Sequence, residues 1–322
     1  MDFLGQRMPY VTAFSKALGT GMMISVDSPI DDKVRSAMES LIEDYEHVLS
    51  RFRNDSLIAA IGKAEHGGSF DFPDWCAPLF DLYDALFSAT SGAIDPCVGE
   101  DLIRLGYDAS LSFTVTQDAP EHLGALRGRA VWGRDVTRHG TTLVTHEPVQ
   151  LDFGACGKGY LVDLLGRMLQ SSQFVIDAGG DLLIHAEQPI SVALEDPEDQ
   201  SHAIGIAHIA NGALCASAPS RRHWNVAVNE RTQIAIHHLL NAIDGLPAQQ
   251  TEASWAYVPA NATFNLARDY PTAVADGLAT ALFVSDVAQL QRTFDFTYAT
   301  LDESRQIAVS RNFPAELFLR SA

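Results

Sequence analysis

Between residues 31 and 50 the apolar positions fall at helical intervals. Val34, Met38, Leu41, Ile42, Tyr45, Val48 and Leu49 share one face, with Asp31 and Asp32 at the head. Pro73 opens a second such pattern, Trp75, Leu79, Phe80, Leu82, Tyr83, Leu86 and Phe87, which Ser91-Gly92 ends. An aromatic stripe of this kind predicts a helix packed on a core, not a cofactor box. Ahead of both, GMMISVD (21–27) alternates as a strand does.

From about residue 129 the apolar period shortens to two. AVWGRDVTRHGTTLVTH and FVIDAGGDLLIHA read as hairpins turning at His139-Gly140 and Gly179-Gly180, and WNVAVNERTQIAIHHLL as a third about Asn229 and Glu230. A helix is expected after Pro271, and FTYATLDESRQIAVSR closes the chain as a last hairpin. Helices lead, hairpins follow and helices are interspersed, with no regular βαβ alternation. The expected class is α+β. One domain over 1–322 is expected, helix-rich to about 125 and hairpin-rich from about 126.

Composition narrows the function. Over 322 residues, 47% hydrophobic and 20% charged content suits a chain with a sizeable core. A net charge of −19 argues against nucleic acid and against an anionic membrane surface as partners. An anion could still be held locally by backbone amides, a lysine or a bridging cation. Cys76, Cys97, Cys156 and Cys215 form no CxxC pair, so free buried or half-buried thiols in a reducing compartment are expected. No apolar run is long enough for membrane insertion, and MDFLGQRMPYVTAFSKALG has neither an unbroken apolar stretch nor a lipid-attachment cysteine. A cytoplasmic protein is expected.

Two stretches could carry chemistry. LDFGACGKGYLVD (151–163) runs from a strand-like start through Gly154, Gly157 and Gly159 into a helix. It matches neither GxGxxG nor the P-loop spacing. Such a turn still offers amides and a helix dipole to an anion, and Lys158 adds a mobile positive charge. Asp152 suits a polar ligand edge and a capping duty equally. In AVADGLATALFV (273–284), Asp276 and Thr280 are four residues apart and share a helical face. A carboxylate and a hydroxyl so placed could bind Mg²⁺, but spacing alone favours an ordinary Thr and an Asp complementing the dipole.

Taken in order, LGTGMMIS, LSRFRNDSLI, SGAIDPCVG, LDFGACGKGYLVD, VIDAGGDL, HHLLNAIDGLP and ADGLATALFV resemble the motifs of the ApbE-like FAD:protein FMN transferases across nearly the whole chain. The resemblance implies mixed and antiparallel sheets with packed helices, and FAD in a cleft between two intimately packed subdomains. It implies cleavage of FAD with Mg²⁺ or Mn²⁺, attachment of FMN to a Thr or Ser of an acceptor protein with a Ser/Thr-Gly-Ala-Thr-like motif, and release of AMP. By the same resemblance Asp276, Thr280 and the Ala155 carbonyl match metal-binding positions, and Asp152 and Lys158 match FAD-contacting ones. Ala93, Ile94 and Asp95 match a flavin-contacting stretch, Phe52 an aromatic near the ring, and Leu18 a position where Met is usual.

His238 matches the family's histidine implicated in catalysis. Of the adjacent pair His237-His238, at most one side chain of a strand faces a given side. An ordinary imidazole titrates near neutrality and could take the acceptor's hydroxyl proton; a satisfied structural histidine is the other reading. Departures from the family pattern are Asn241, Ala242 and Asp244 in HHLLNAIDGLP, and the CASAPS stretch (215–220). Two alternatives share the same site residues: hydrolysis of FAD to FMN and AMP, and non-catalytic FAD binding.

Overall fold

A computed structural model describes residues 4–229 and 232–318. Its centre is a nine-stranded sheet, antiparallel throughout. From one edge the strands run Tyr10–Phe14, Met22–Val26, Phe174–Asp177, Asp181–Glu195, Ala203–Ser217, Thr251–Pro259, Thr297–Asp302 and Ile307–Val309. Ala315–Leu317 pairs with Gly205–Ala207, so two strands share the outer side of Ala203–Ser217. The closing hairpin is therefore not the last strand.

Strand alternation divides the core. Leu183, Ala213, Cys215, Ala256 and Val258 join the large cluster under the helices, whereas Leu182, Leu214, Ala253 and Trp255 join a second cluster. Successive residues point to opposite faces, so one strand feeds both cores. A third cluster gathers Leu102, Leu105 and Tyr107 with Trp224, Ile236 and Leu240.

The 31–50 pattern forms the helix Asp32–Leu49, with Asp31 accepting from the Lys33 amide. The Pro73 pattern begins as a single tight turn, Asp74–Cys76, and becomes the helix Ala77–Ala89. Strands Val136–His139 and Thr142–Thr145 pair as expected, joined by Gly140 at φ 63°, and Gly68–Asp71 adds to them. The Gly179-Gly180 turn has φ of 70° and 106°, a backbone that glycine adopts freely. Strands His223–Asn229 and Thr232–His237 pair in the third hairpin, while Glu230 of its turn lies outside the described residues.

Two helices position the site. Gly157–Gly166 and Pro271–Ala281 pack against each other and on the sheet. The second is Ala-rich and buried from Thr272 to Ala279, which suits a helix enclosed on all sides. Their approach is set by Gly159, where a Cβ would lie 2.3 Å from the Thr272 carbonyl oxygen. Asp163 accepts the amides of Thr272 and Ala273 at 3.1 and 2.8 Å, so one helix caps the other. Among the described residues no helix is long and apolar enough to cross a membrane.

Candidate active site

The strand-like start of LDFGACGKG is extended but joins no sheet: the Asp152 amide bonds to the Pro96 carbonyl at 2.7 Å in place of a ladder partner. Its glycines serve close approach instead of a left-handed turn, since none of the three has positive φ. The turn's amides are partly taken by the protein itself. Asp152 accepts from Gly154 at 2.6 Å, Asp276 accepts from Gly159 at 3.0 Å, and the Tyr45 hydroxyl donates to the Gly157 carbonyl at 2.7 Å.

Asp276 and Thr280 both reach this turn. The Thr280 hydroxyl lies 3.4 Å from the Ala155 carbonyl oxygen, and the Asp276 carboxylate is buried beside the helix start. A carboxylate, a hydroxyl and a carbonyl are hard oxygen donors, the set that suits a Mg²⁺-sized ion completed by water and phosphate. Among the described residues no group of three or more His, Cys, Asp and Glu could hold a metal, so a cation here would depend on those mixed donors.

Lys158 stands between two carboxylates. Its ammonium pairs with Asp181 and lies 3.8 Å from Asp276 Oδ1. Burial and then the charge of Asp181 push the Asp276 carboxyl up, with Lys158 opposing them. Burial pulls the Lys158 ammonium down, but Asp181 and Asp276 more than compensate, so it stays charged. The lysine is one-third exposed while both carboxylates are buried, which leaves its charge available to an incoming anion.

A second group lies on the far side of Asp152. Arg51 pairs with Asp152, donates to the Tyr107 carbonyl at 2.5 Å, and stacks on Phe52 and Tyr107 at 4.1 and 4.6 Å. The rings continue from Phe52 to Tyr107, Trp224 and Phe113, each step between 5.3 and 5.7 Å. Beside them Tyr107, Leu111 and Phe113 face Ser220–His223 across a cleft of about 240 Å³. Leu111 and Phe113 are bulky residues in left-handed backbone, φ 53° and 49°, and both are exposed. Strain of this kind is retained where surrounding structure enforces it.

The histidine pair separates cleanly. His237 Nε2 bonds the Ala248 carbonyl at 2.9 Å and Nδ1 accepts the Leu239 amide at 3.3 Å, so both nitrogens are engaged. His238 Nδ1 faces the Arg222 carbonyl at 3.2 Å and must donate to it, which assigns the lone pair to Nε2. Among the described residues Nε2 has no partner. Burial pushes this imidazole down to about 4, and the charges of His237, Arg222 and Lys158 act in the same direction. The unfolded chain takes up that proton near 6.5, the folded one only near 4, so stability falls as pH falls through this window. His238→Gln removes this contribution. Chemical denaturation at pH 7 and pH 4.5 is expected to show a smaller acid loss in the variant than in the native chain.

Leu18 is in left-handed backbone at φ 52°, with its amide bonded to Glu46 Oε1 at 2.8 Å. Ala93, Ile94 and Asp95 are buried, and the Asp95 carboxylate is taken by the Cys97 and Trp132 amides and by Arg129. A ligand beside that stretch would meet backbone, not the Asp95 side chain. The substituted HHLLNAIDGLP loop keeps its turns: Asn241 accepts the Ile243 amide and Asp244 that of Leu246, at 3.0 and 2.9 Å. All four cysteines are free and buried.

Asp181 and Arg51 were not singled out from sequence. Asp181 had a readable signal: it shares strand parity with Leu183, which faces the helices, so its carboxylate must turn inward. Arg51 had none, because its partner Asp152 is 101 residues away.

A lysine-and-carboxylate cluster where two helices meet on an antiparallel sheet marks this α+β protein. A family-wide sequence model described as the ApbE family matches residues 18–300, and the chain belongs to that family. It is 27% identical over 286 residues to the FAD:protein FMN transferase of Treponema pallidum (strain Nichols), covering 78% of this chain and 72% of that protein. The fold is shared with the ApbE protein of Thermotoga maritima, at TM-score 0.77 and 20% identity over 95% of this chain and 99% of that one. It is also shared with the flavin transferase ApbE of Vibrio cholerae, at TM-score 0.75 and 17% identity over 94% and 97%.

Proposed function

We propose that this chain transfers FMN from FAD to a Thr or Ser hydroxyl of an acceptor protein, releasing AMP, with Mg²⁺ or Mn²⁺ as the metal. The observation that carries the reading is the one-third-exposed Lys158 side chain beside the buried Asp276 carboxylate, at a turn that also presents Thr280 and the Ala155 carbonyl. Family membership and the Treponema relative support it.

In the proposed reaction the acceptor's hydroxyl oxygen bonds to the FMN phosphorus, and the bond from that phosphorus to the bridging oxygen breaks. AMP leaves with that oxygen. A divalent ion held by Asp276, Thr280 and the Ala155 carbonyl would supply charge neutralisation for the diphosphate. Lys158 binds phosphoryl oxygens and takes up charge developing on them. His238, neutral at pH 7 with its Nε2 lone pair open, accepts the hydroxyl proton. Phe52, exposed at the end of this ring series, offers a flat face suited to a flavin ring, with buried Tyr107 at its edge and Arg51, paired with Asp152, packed on it.

The test is incubation with FAD, Mg²⁺ and an acceptor bearing a Ser/Thr-Gly-Ala-Thr-like motif, followed by intact-mass spectrometry and nucleotide chromatography. An FMN-sized mass gain with equimolar AMP is expected. FMN and AMP appearing at the same rate without acceptor would replace transfer by hydrolysis, and intact FAD throughout would leave only binding.

A further inference from the structure

We propose that Asp181 is a positioning residue for Lys158, holding its ammonium off Asp276 so that a divalent cation can occupy that carboxylate. The proposal rests on the metal and phosphate reading above. It goes beyond that reading by assigning a role to a carboxylate outside the metal-binding and FAD-contacting sets.

Asp181 opens its strand directly after the Gly179-Gly180 turn and is fully buried. One oxygen pairs with Lys158 Nζ, while Oδ1 is buried with no hydrogen-bond partner among the described residues. Its surroundings are the Lys158 chain and the Cys215 thiol, itself bonded to the Thr272 carbonyl at 3.5 Å. A buried carboxylate with one unsatisfied oxygen is costly to a fold, so its retention calls for a task. The task offered by the geometry is competition. Nζ already lies 3.8 Å from Asp276 Oδ1, and a four-carbon side chain can close that gap by a change of rotamer.

With Asp276 as its only anion, Lys158 would settle on it as a counter-ion. The same oxygens would then be denied to Mg²⁺. Asp181 supplies a deeper anchor on the sheet side. The ammonium is thereby kept next to the phosphate position and away from the cation position. Asp181 thus touches neither FAD nor the cation and acts only through Lys158.

The experiment is a double-mutant cycle read by Mn²⁺ binding to the free protein, followed by the electron paramagnetic resonance of unbound Mn²⁺. Native chain, Asp181→Asn, Lys158→Met and the double variant are compared, with thermal melts confirming folding. Asp181→Asn is expected to weaken Mn²⁺ about tenfold, the scale of a typical coupling between neighbouring sites. In the Lys158→Met background the same change should matter less than about twofold. The Mg²⁺ concentration giving half-maximal FAD turnover should rise by the same factor in Asp181→Asn, with turnover recovering at high Mg²⁺. Unchanged Mn²⁺ affinity in Asp181→Asn would overturn the proposal. An equal loss in both backgrounds would also overturn it, since Asp181 would then act on the cation directly. Should Asp181→Asn not fold, Asp181→Ser, which leaves room for water, carries the same expectations. The Mn²⁺ cycle remains readable even if the native chain turns over no FAD, so failure of the activity and failure of this role are separable.

Discussion

Asp276→Asn is expected to lower FAD turnover by about a thousandfold or more, equivalent to roughly 4 kcal/mol of transition-state stabilisation, with the protein still folded. The carboxamide has the same shape and can still accept the Gly159 amide that the native carboxylate holds at 3.0 Å. What it lacks is charge, and this is the buried acidic group among the proposed cation donors Asp276, Thr280 and the Ala155 carbonyl. Because burial and Asp181 together disfavour the ionised form, the native charge is a burden on the fold. In metal-free buffer the variant should therefore melt at or above the native temperature. AMP release measured by chromatography, alongside a thermal melt, checks both halves. Turnover within tenfold of native would remove Asp276 from the reaction.

Gly159→Val is expected to cost about 3 kcal/mol or more, a large share of the 5–15 kcal/mol that usually holds a domain together. The added Cβ would sit 2.3 Å from the Thr272 carbonyl oxygen, 2.6 Å from its carbon and 2.9 Å from the Ala273 nitrogen. All three are backbone atoms in a helix start that Asp163 holds in place, so no side chain can swing away. Gly157→Ala is the control. There the nearest atom is the Tyr45 hydroxyl at 3.3 Å, and a loss below about 1 kcal/mol is expected. Urea denaturation of the two variants measures the contrast.

What could be read in the sequence was whatever repeats over a short span. The helix Asp32–Leu49 and the hairpins at Gly140 and Gly179-Gly180 declare themselves through period and turn residues. Ala203–Ser217 does not, because AIGIAHIANGALCAS is rich in Ala and Gly, which give a weak strand signal, although the strand runs 15 residues. Leu151–Phe153 gives the opposite error: its residues suit a strand, but the Asp152 amide goes to Pro96. In the site, Asp276 and Thr280 are legible because a helix turn relates them. The partners of Lys158 and Asp152 are not, because tertiary contact alone brings Asp181 and Arg51 to them. For His237 and His238, parity left the choice open. The carbonyls that each ring meets, Ala248 and Arg222, distinguish them.

The contact of Gly159 with Thr272 also fixes how the proposed enzyme should fail on heating. Lys158 and Asp276 sit on two helices packed backbone against backbone where Gly159 meets Thr272, both buried, not on a loop that can fray first. Inactivation should consequently follow the same temperature curve as collapse of the tertiary near-ultraviolet signal, without an earlier phase in which a folded but incompetent form accumulates.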